Sequence, residues 1–101
     1  MKLVISDNVQ VESERAFFKN LEIEELYLLS SVTHLGKFAF FGCINLKKVV
    51  IYATISEIPD FCFFGCTALE SVVFKTDTVI SFGENSFAKT GIVNFIIPDS
   101  I

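Results

Sequence analysis

The 101-residue sequence contains no tryptophan, one histidine and one methionine. Its apolar runs all stop well short of the roughly 18 residues that a spanning helix requires. Charged or polar residues interrupt each of them, so a mean hydropathy of +0.56 does not signal a membrane protein. Basic residues are few: 8 Lys and Arg against 12 Asp and Glu leave a formal net charge of −4. With a pI near 4.8, that balance excludes a nucleic-acid or anionic-membrane binder resting on bulk charge. The opening Met1-Lys2-Leu3-Val4-Ile5-Ser6-Asp7-Asn8 offers one short apolar triplet, where a secretory signal carries about 7 to 15 apolar residues in a row. No export signal is visible there. G-x-x-x-x-G-K-[ST], H-E-x-x-H and G-x-S-x-G are all missing, as is any N-x-[ST] glycosylation acceptor. The sequence therefore carries no phosphate-loop, zinc-protease or serine-hydrolase signature.

What is present is apolar and periodic: 51% of the residues are hydrophobic and 12 are phenylalanine. Ile5, Leu28, Ile51, Phe74 and Ile97 follow one another at intervals of 23 residues, and so do Leu3, Leu26, Val49, Val72 and Phe95. A third column, Ile23, Leu46, Leu69 and Ile92, keeps the same interval. The shared pattern is apolar-x-x-apolar-x-apolar, best formed in Leu46-Lys47-Lys48-Val49-Val50-Ile51. An aromatic turn follows in each unit, with Phe17, Phe40, Phe63 and Phe87 spaced by 23, 23 and 24. The extra residue falls in Lys75-Thr76-Asp77-Thr78, and a one-residue deletion around Thr90-Gly91 restores the register by Ile92. Stacked coils tolerate such compensating changes in their loops.

A period of this length lies within that of leucine-rich repeats, in which each unit supplies one short strand and neighbouring units bury each other's apolar edges. Each coil then adds a rung to a parallel sheet. Strand alternation sends Val49 and Ile51 into the core and Val50 to the other face. Val32-Thr33-His34-Leu35 and Ile55-Ser56-Glu57-Ile58 read as a second, weaker strand, and the Phe segment closes the coil with a tight turn or a single helical turn.

The strings VTHLGKFAFFGCINLKKVVI, ISEIPDFCFFGCTALESVVF and SFAKTGIVNFIIPDSI resemble BspA-type leucine-rich repeats over residues 3 to 101. The first unit departs from the pattern, with Glu12 in place of an apolar residue and Lys19-Asn20 in place of Gly-Cys. The resemblance implies a mostly β fold of the α/β leucine-rich-repeat class. It would be a right-handed solenoid of stacked coils with a parallel sheet, short second strands and short helical or turn segments. Residues 1–101 would form a single domain of about four repeats within a longer array. It further implies a cell-surface or secreted protein that binds other proteins, host matrix or neighbouring cells. The N-terminus and unpaired cysteines point instead to the cytoplasm, so the compartment stays open.

Nine phenylalanines, Phe17, Phe18, Phe38, Phe40, Phe41, Phe61, Phe63, Phe64 and Phe87, sit in or beside the turn at repeating offsets and are expected to stack as a convex-side spine. Phe18, Phe41 and Phe64 are expected to be partly exposed. Each buried ring contributes roughly 2 to 3 kcal/mol. Cys43 and Cys66 occupy one repeat position a period apart, and Cys62 replaces the Ala of the A-F pair. Repeat position explains all three, and with a distant His34 they do not supply the clustered ligands of a structural zinc site. The odd count favours reduced, buried thiols, although neighbouring coils lie close enough for Cys43 and Cys66 to approach disulfide range. His34 reads as a surface residue, with no cysteine delivered to it for nucleophilic catalysis. No cofactor, metal site or enzymatic role is expected.

On the exposed face of the main sheet, equivalent positions form ladders about 5 Å apart. Val4, Tyr27, Val50, Val73 and Ile96 form one. Lys2, Glu25, Lys48, Ser71 and Asn94 flank it on one side, and Ser6, Leu29, Tyr52, Lys75 and Pro98 on the other. An apolar stripe bordered by tyrosines and charges suits a protein-binding face. The competing explanation is that β-branched residues simply suit strands. The contacts expected are Glu25, Tyr27, Lys48, Val50, Tyr52, Val73 and Lys75, in a non-enzymatic protein-binding module. The alternative is a structural spacer within a longer array. No recognisable polar cap closes either end, so end-to-end self-association is a further expectation.

Overall fold

The computed structural model describes residues 1–6, 13–52, 55–76 and 81–96, with Asn94–Ile96 described by backbone alone. Seven strands are present among them: β1 (Lys2–Ile5), β2 (Glu25–Leu28), β3 (Lys48–Ile51), β4 (Glu57–Ile58), β5 (Ser71–Phe74), β6 (Ser81–Phe82) and β7 (Asn94–Ile96). No described residue is helical. β1, β2, β3, β5 and β7 form one parallel sheet in that order, and β4 pairs with β6 in a second. The result is a β-solenoid whose main sheet gains one strand per coil.

The register follows the period. Leu3 pairs with Leu26, Leu26 with Val49, Val49 with Val72 and Val72 with Phe95. Alternation then places Leu26, Leu28, Val49, Ile51 and Val72 in the core, all fully buried. Ile23, Leu46 and Leu69, just ahead of each strand, complete it. The extra residue also appears as inferred. Lys75 N–H still bonds Ile51 O in the 23-residue register, whereas β4 and β6 pair at 24 (Glu57 with Ser81). Asp77 and Thr78 of the loop expected to hold the extra residue lie outside the described residues, and Val93 N–H bonding Glu70 O shows the 23-residue interval again.

The second strand forms only in part. Glu57–Ile58 is a strand, but Val32-Thr33-His34-Leu35 is not. Val32 N–H is drawn into a turn with Leu29 O at 3.0 Å.

The phenylalanine turn is a run of tight turns, knitted to its neighbours by the amides that the turns leave free. Ala39, Phe41 and Cys43 N–H bond three residues back, to Gly36, Phe38 and Phe40 O. The intervening Phe38, Phe40 and Gly42 N–H reach the next coil, at Asp60, Cys62 and Phe64 O, with distances of 3.3, 2.9 and 2.8 Å. This alternation uses left-handed backbone twice per turn. Arg15, Phe38, Phe61 and Asn85 hold one such position, with φ of 59, 61, 56 and 54°. Lys19, Gly42, Gly65 and Lys89 hold the other, with φ of 54, 68, 76 and 60°. Left-handed backbone costs a residue with a Cβ about 1–2 kcal/mol. Lys19→Gly should therefore raise stability by about 0.5–1 kcal/mol in urea denaturation, since it gives the first coil the residue its neighbours already use.

Phe17, Phe40, Phe63 and Phe87 point inward and stack with ring centroids 5.3, 5.4 and 5.2 Å apart. Phe40 and Phe63 are fully buried. The second rings, Phe18, Phe41 and Phe64, form a separate column on the outside of the turn, half-buried or, at Phe18, 37% exposed.

Candidate functional site

The outer face of the main sheet brings the sequence-derived residues together through strand register. Lys2, Glu25, Lys48 and Ser71 are successive partners, as are Val4, Tyr27, Val50 and Val73. Tyr27 is the organised centre. Its hydroxyl donates to Glu25 Oε1 at 2.8 Å. Lys2 Nζ lies 4.6 Å from the ring centroid and Lys48 Nζ 5.9 Å. An aromatic face attracts cations, so the ring takes ammonium groups from the strands on both sides of its own. The hydrogen bond to Glu25, followed by loss of solvent around the phenol, raises the Tyr27 pKa above its ordinary value of 10.0.

The apolar stripe is not continuous. Val4 is 46% exposed and Val50 only 4%, while Tyr27 and Val73 are half-buried. Val50 stands in register between Tyr27 and Val73, with a strand on each side of its own. The expectation that Val50 faces solvent is thus corrected: it supports the face from below. Tyr52, 41% exposed, and Lys75 are open beyond the strand ends, and Glu25 and Lys48 are half-buried. Of the outermost ladder positions, the Asn94 and Ile96 side chains and all of Pro98 lie outside the described residues.

A sequence model of the BspA type leucine-rich repeat region matches residues 1–101 in six copies. The chain belongs to the BspA-type leucine-rich repeat family. No curated protein and no solved structure matches it. Membership fixes the coarse reading, a repeat module of a generally non-enzymatic class, and leaves the partner to chemistry.

Exposed His34 contacts Thr33, Nδ1 to Oγ1 at 3.0 Å, and edges a shallow pocket of about 230 Å³ shared with Lys37, Glu57 and Pro59. No cysteine lines that pocket. Among the described residues no helix is long and apolar enough to cross a membrane, and no cluster of His, Cys, Asp or Glu could hold a metal.

Cys43, Cys62 and Cys66 are free thiols buried behind the phenylalanine turn. The Cys43 and Cys66 thiols donate to Phe17 O and Phe40 O of the preceding coil at 3.2 and 3.1 Å. Burial pushes the Cys62 thiol well up, whereas within the Cys43–Cys66 pair the contact between the two thiols raises Cys66 and lowers Cys43, so Cys62 sets the sign of the pH dependence. A group with a raised folded pKa stabilises the fold below its unfolded value, here the ordinary thiol value of 9.0. That contribution is lost as pH rises through the folded pKa. Stability should accordingly fall above about pH 9. A disulfide-based thiol reagent should label these cysteines slowly at pH 8 and all of them on addition of guanidinium. Rapid labelling of the native protein would contradict the packing.

Sequence reasoning placed the outer phenylalanines in one spine with the inner ones. The structure separates them, because adjacent residues in the turn face opposite sides of the coil wall. The doublet Phe-Phe at a fixed repeat offset carried that signal.

Proposed function

We propose that this BspA-type solenoid is a non-enzymatic protein-binding module for adhesion or recognition at a cell surface. It holds its partner on the outer face of the main sheet. The observation that carries this reading is the preset Tyr27, with its ring between Lys2 and Lys48 and its hydroxyl fixed on Glu25. An aromatic anchor already held in one rotamer loses little conformational freedom on binding, and tyrosine is enriched at the centres of interfaces. Exposed Tyr52 supplies a second ring, Lys48 and Lys75 charged contacts, and Glu25, Val50 and Val73 the support beneath.

The double substitution Tyr27→Ala with Tyr52→Ala should weaken capture of a surface-protein partner by at least about tenfold, as expected for loss of two interface anchors. The melting transition should stay cooperative, because neither ring belongs to the buried core. Equal affinity of the double variant and the parent, measured by surface plasmon resonance on the captured partner, would reject this face as the site. A spacer would yield no partner whose binding depends on either tyrosine.

A further inference from the structure

The outer aromatic columns stop one coil early. Phe18, Phe41 and Phe64 stack at 5.0 and 5.1 Å with interplanar angles of 13 and 14°. Beside them Phe38 and Phe61 stack at 5.2 Å and 1°, and the two columns touch through Phe38–Phe41 and Phe61–Phe64. In the next coil the inner column continues with Phe87, but the outer positions change character. Gly65 N–H bonds Ala88 O and Phe61 N–H bonds Glu84 O, both at 3.0 Å, which fixes Ala88 as the counterpart of Phe64 and Asn85 as that of Phe61.

Two ring positions of the ladder are therefore replaced by a methyl group and a short exposed amide. Phe64 has a ring stacked on its Phe41 side and, among the described residues, no ring on its Ala88 side. The missing rings leave a notch in the ladder beside Phe64 and Phe61, at the roughly 5 Å spacing of the coils. Its two rims differ in charge: exposed Lys89 stands next to Ala88, and exposed Glu84 next to Asn85. Lys89 takes part in no ion pair among the described residues, unlike Lys37, which reaches Asp60 at 3.9 Å.

We propose that this notch is a second docking site, on a different wall from the sheet face, for a protein segment bearing an aromatic side chain next to a carboxylate. The partner's ring takes the place that a fourth outer phenylalanine would hold and continues the stack on Phe64. Its carboxylate lies against Lys89, on the side away from Glu84. Ring-on-ring contact contributes beyond simple burial, and the opposed rim charges set the direction of the segment.

The test is a two-dimensional amide NMR titration of the intact protein with three capped peptides: acetyl-Gly-Phe-Glu-amide, acetyl-Gly-Leu-Glu-amide and acetyl-Gly-Phe-Lys-amide. The Phe-Glu peptide should shift the Ala88 and Lys89 resonances saturably, and the other two should bind at least fivefold more weakly. Ala88→Phe completes the ladder from within. It should abolish the shifts while leaving the melting temperature unchanged or higher, so lost binding cannot be lost folding. Lys89→Gln should retain binding of the Phe peptides and erase the preference for Glu over Lys.

Absence of saturable shifts in the parent would overturn the proposal. So would Ala88→Phe binding within twofold of the parent, equal binding of the Leu-Glu peptide, or a Glu preference that survives Lys89→Gln. Shifts of the same resonances on concentrating the protein alone would identify a second copy as the occupant and also overturn it.

Discussion

Phe63→Ala should lower the stability of the protein by about 3–5 kcal/mol. Phe63 is fully buried between Phe40 and Phe87, at 5.4 and 5.2 Å. Its removal breaks both stacking contacts and opens a cavity that the flanking coils cannot close. Their separation is set by the backbone bonds Phe40 N–H to Cys62 O and Phe63 N–H to Ser86 O. A domain of this size has about 5–15 kcal/mol in total, so one ring is a large share. Phe64→Ala is the internal comparison. That ring is half-buried on the outer side of the same turn, so its loss should cost less than about 2 kcal/mol. Urea denaturation of the two variants measures the difference. Equal losses would mean that the inner and outer columns are energetically one spine.

Gly36→Ala should be comparably damaging, by about 3 kcal/mol or more. A Cβ at Gly36 would lie 2.1 Å from Ser13 O and 2.9 Å from Glu14 N. Both are backbone atoms of the preceding coil, so relief requires the coils to part where Arg15 N–H bonds Lys37 O and Phe17 N–H bonds Ala39 O. Gly65→Ala separates this effect from backbone strain. A Cβ there meets nothing nearer than Gly42 Cα at 3.8 Å, and only its φ of 76° opposes the change. The expected loss is about 1 kcal/mol. Thermal unfolding of the pair should show the glycine with negative φ to be the more demanding. The reverse order would place the cost in the turn conformation and not in coil spacing.

The solenoid was legible because a repeat converts spacing into neighbourhood. Once Leu3, Leu26, Val49 and Val72 recur at a constant interval, the only parallel pairing that buries all of them is the observed one. That register also places Lys2, Glu25 and Lys48 side by side, so the composition of the sheet face could be read in advance. Exposure within the face could not be read the same way. Val50 and Val4 hold equivalent positions, yet one is buried and the other open: among the described residues Val50 has a strand on each side and Val4, on the edge strand, has one. The alternation of Val32-Thr33-His34-Leu35 likewise suits a strand, yet no strand forms there, and Val32 N–H closes a local turn on Leu29 O.

By itself, the sequence determined the period, the parallel register, the inward set of aliphatic residues and the inner phenylalanine column, since each follows from burying a repeated apolar pattern at fixed spacing. Only the tertiary structure decided that Phe38 and Phe61 take left-handed backbone and that Phe18, Phe41 and Phe64 form a separate outer column. It alone showed that Tyr27 is held between two lysines, and that Ala88 leaves a step in the ladder. Those outcomes depend on contacts between coils, where hydrogen bonds and ring stacking outweigh the preference of a single residue. No reading of one repeat at a time contains them.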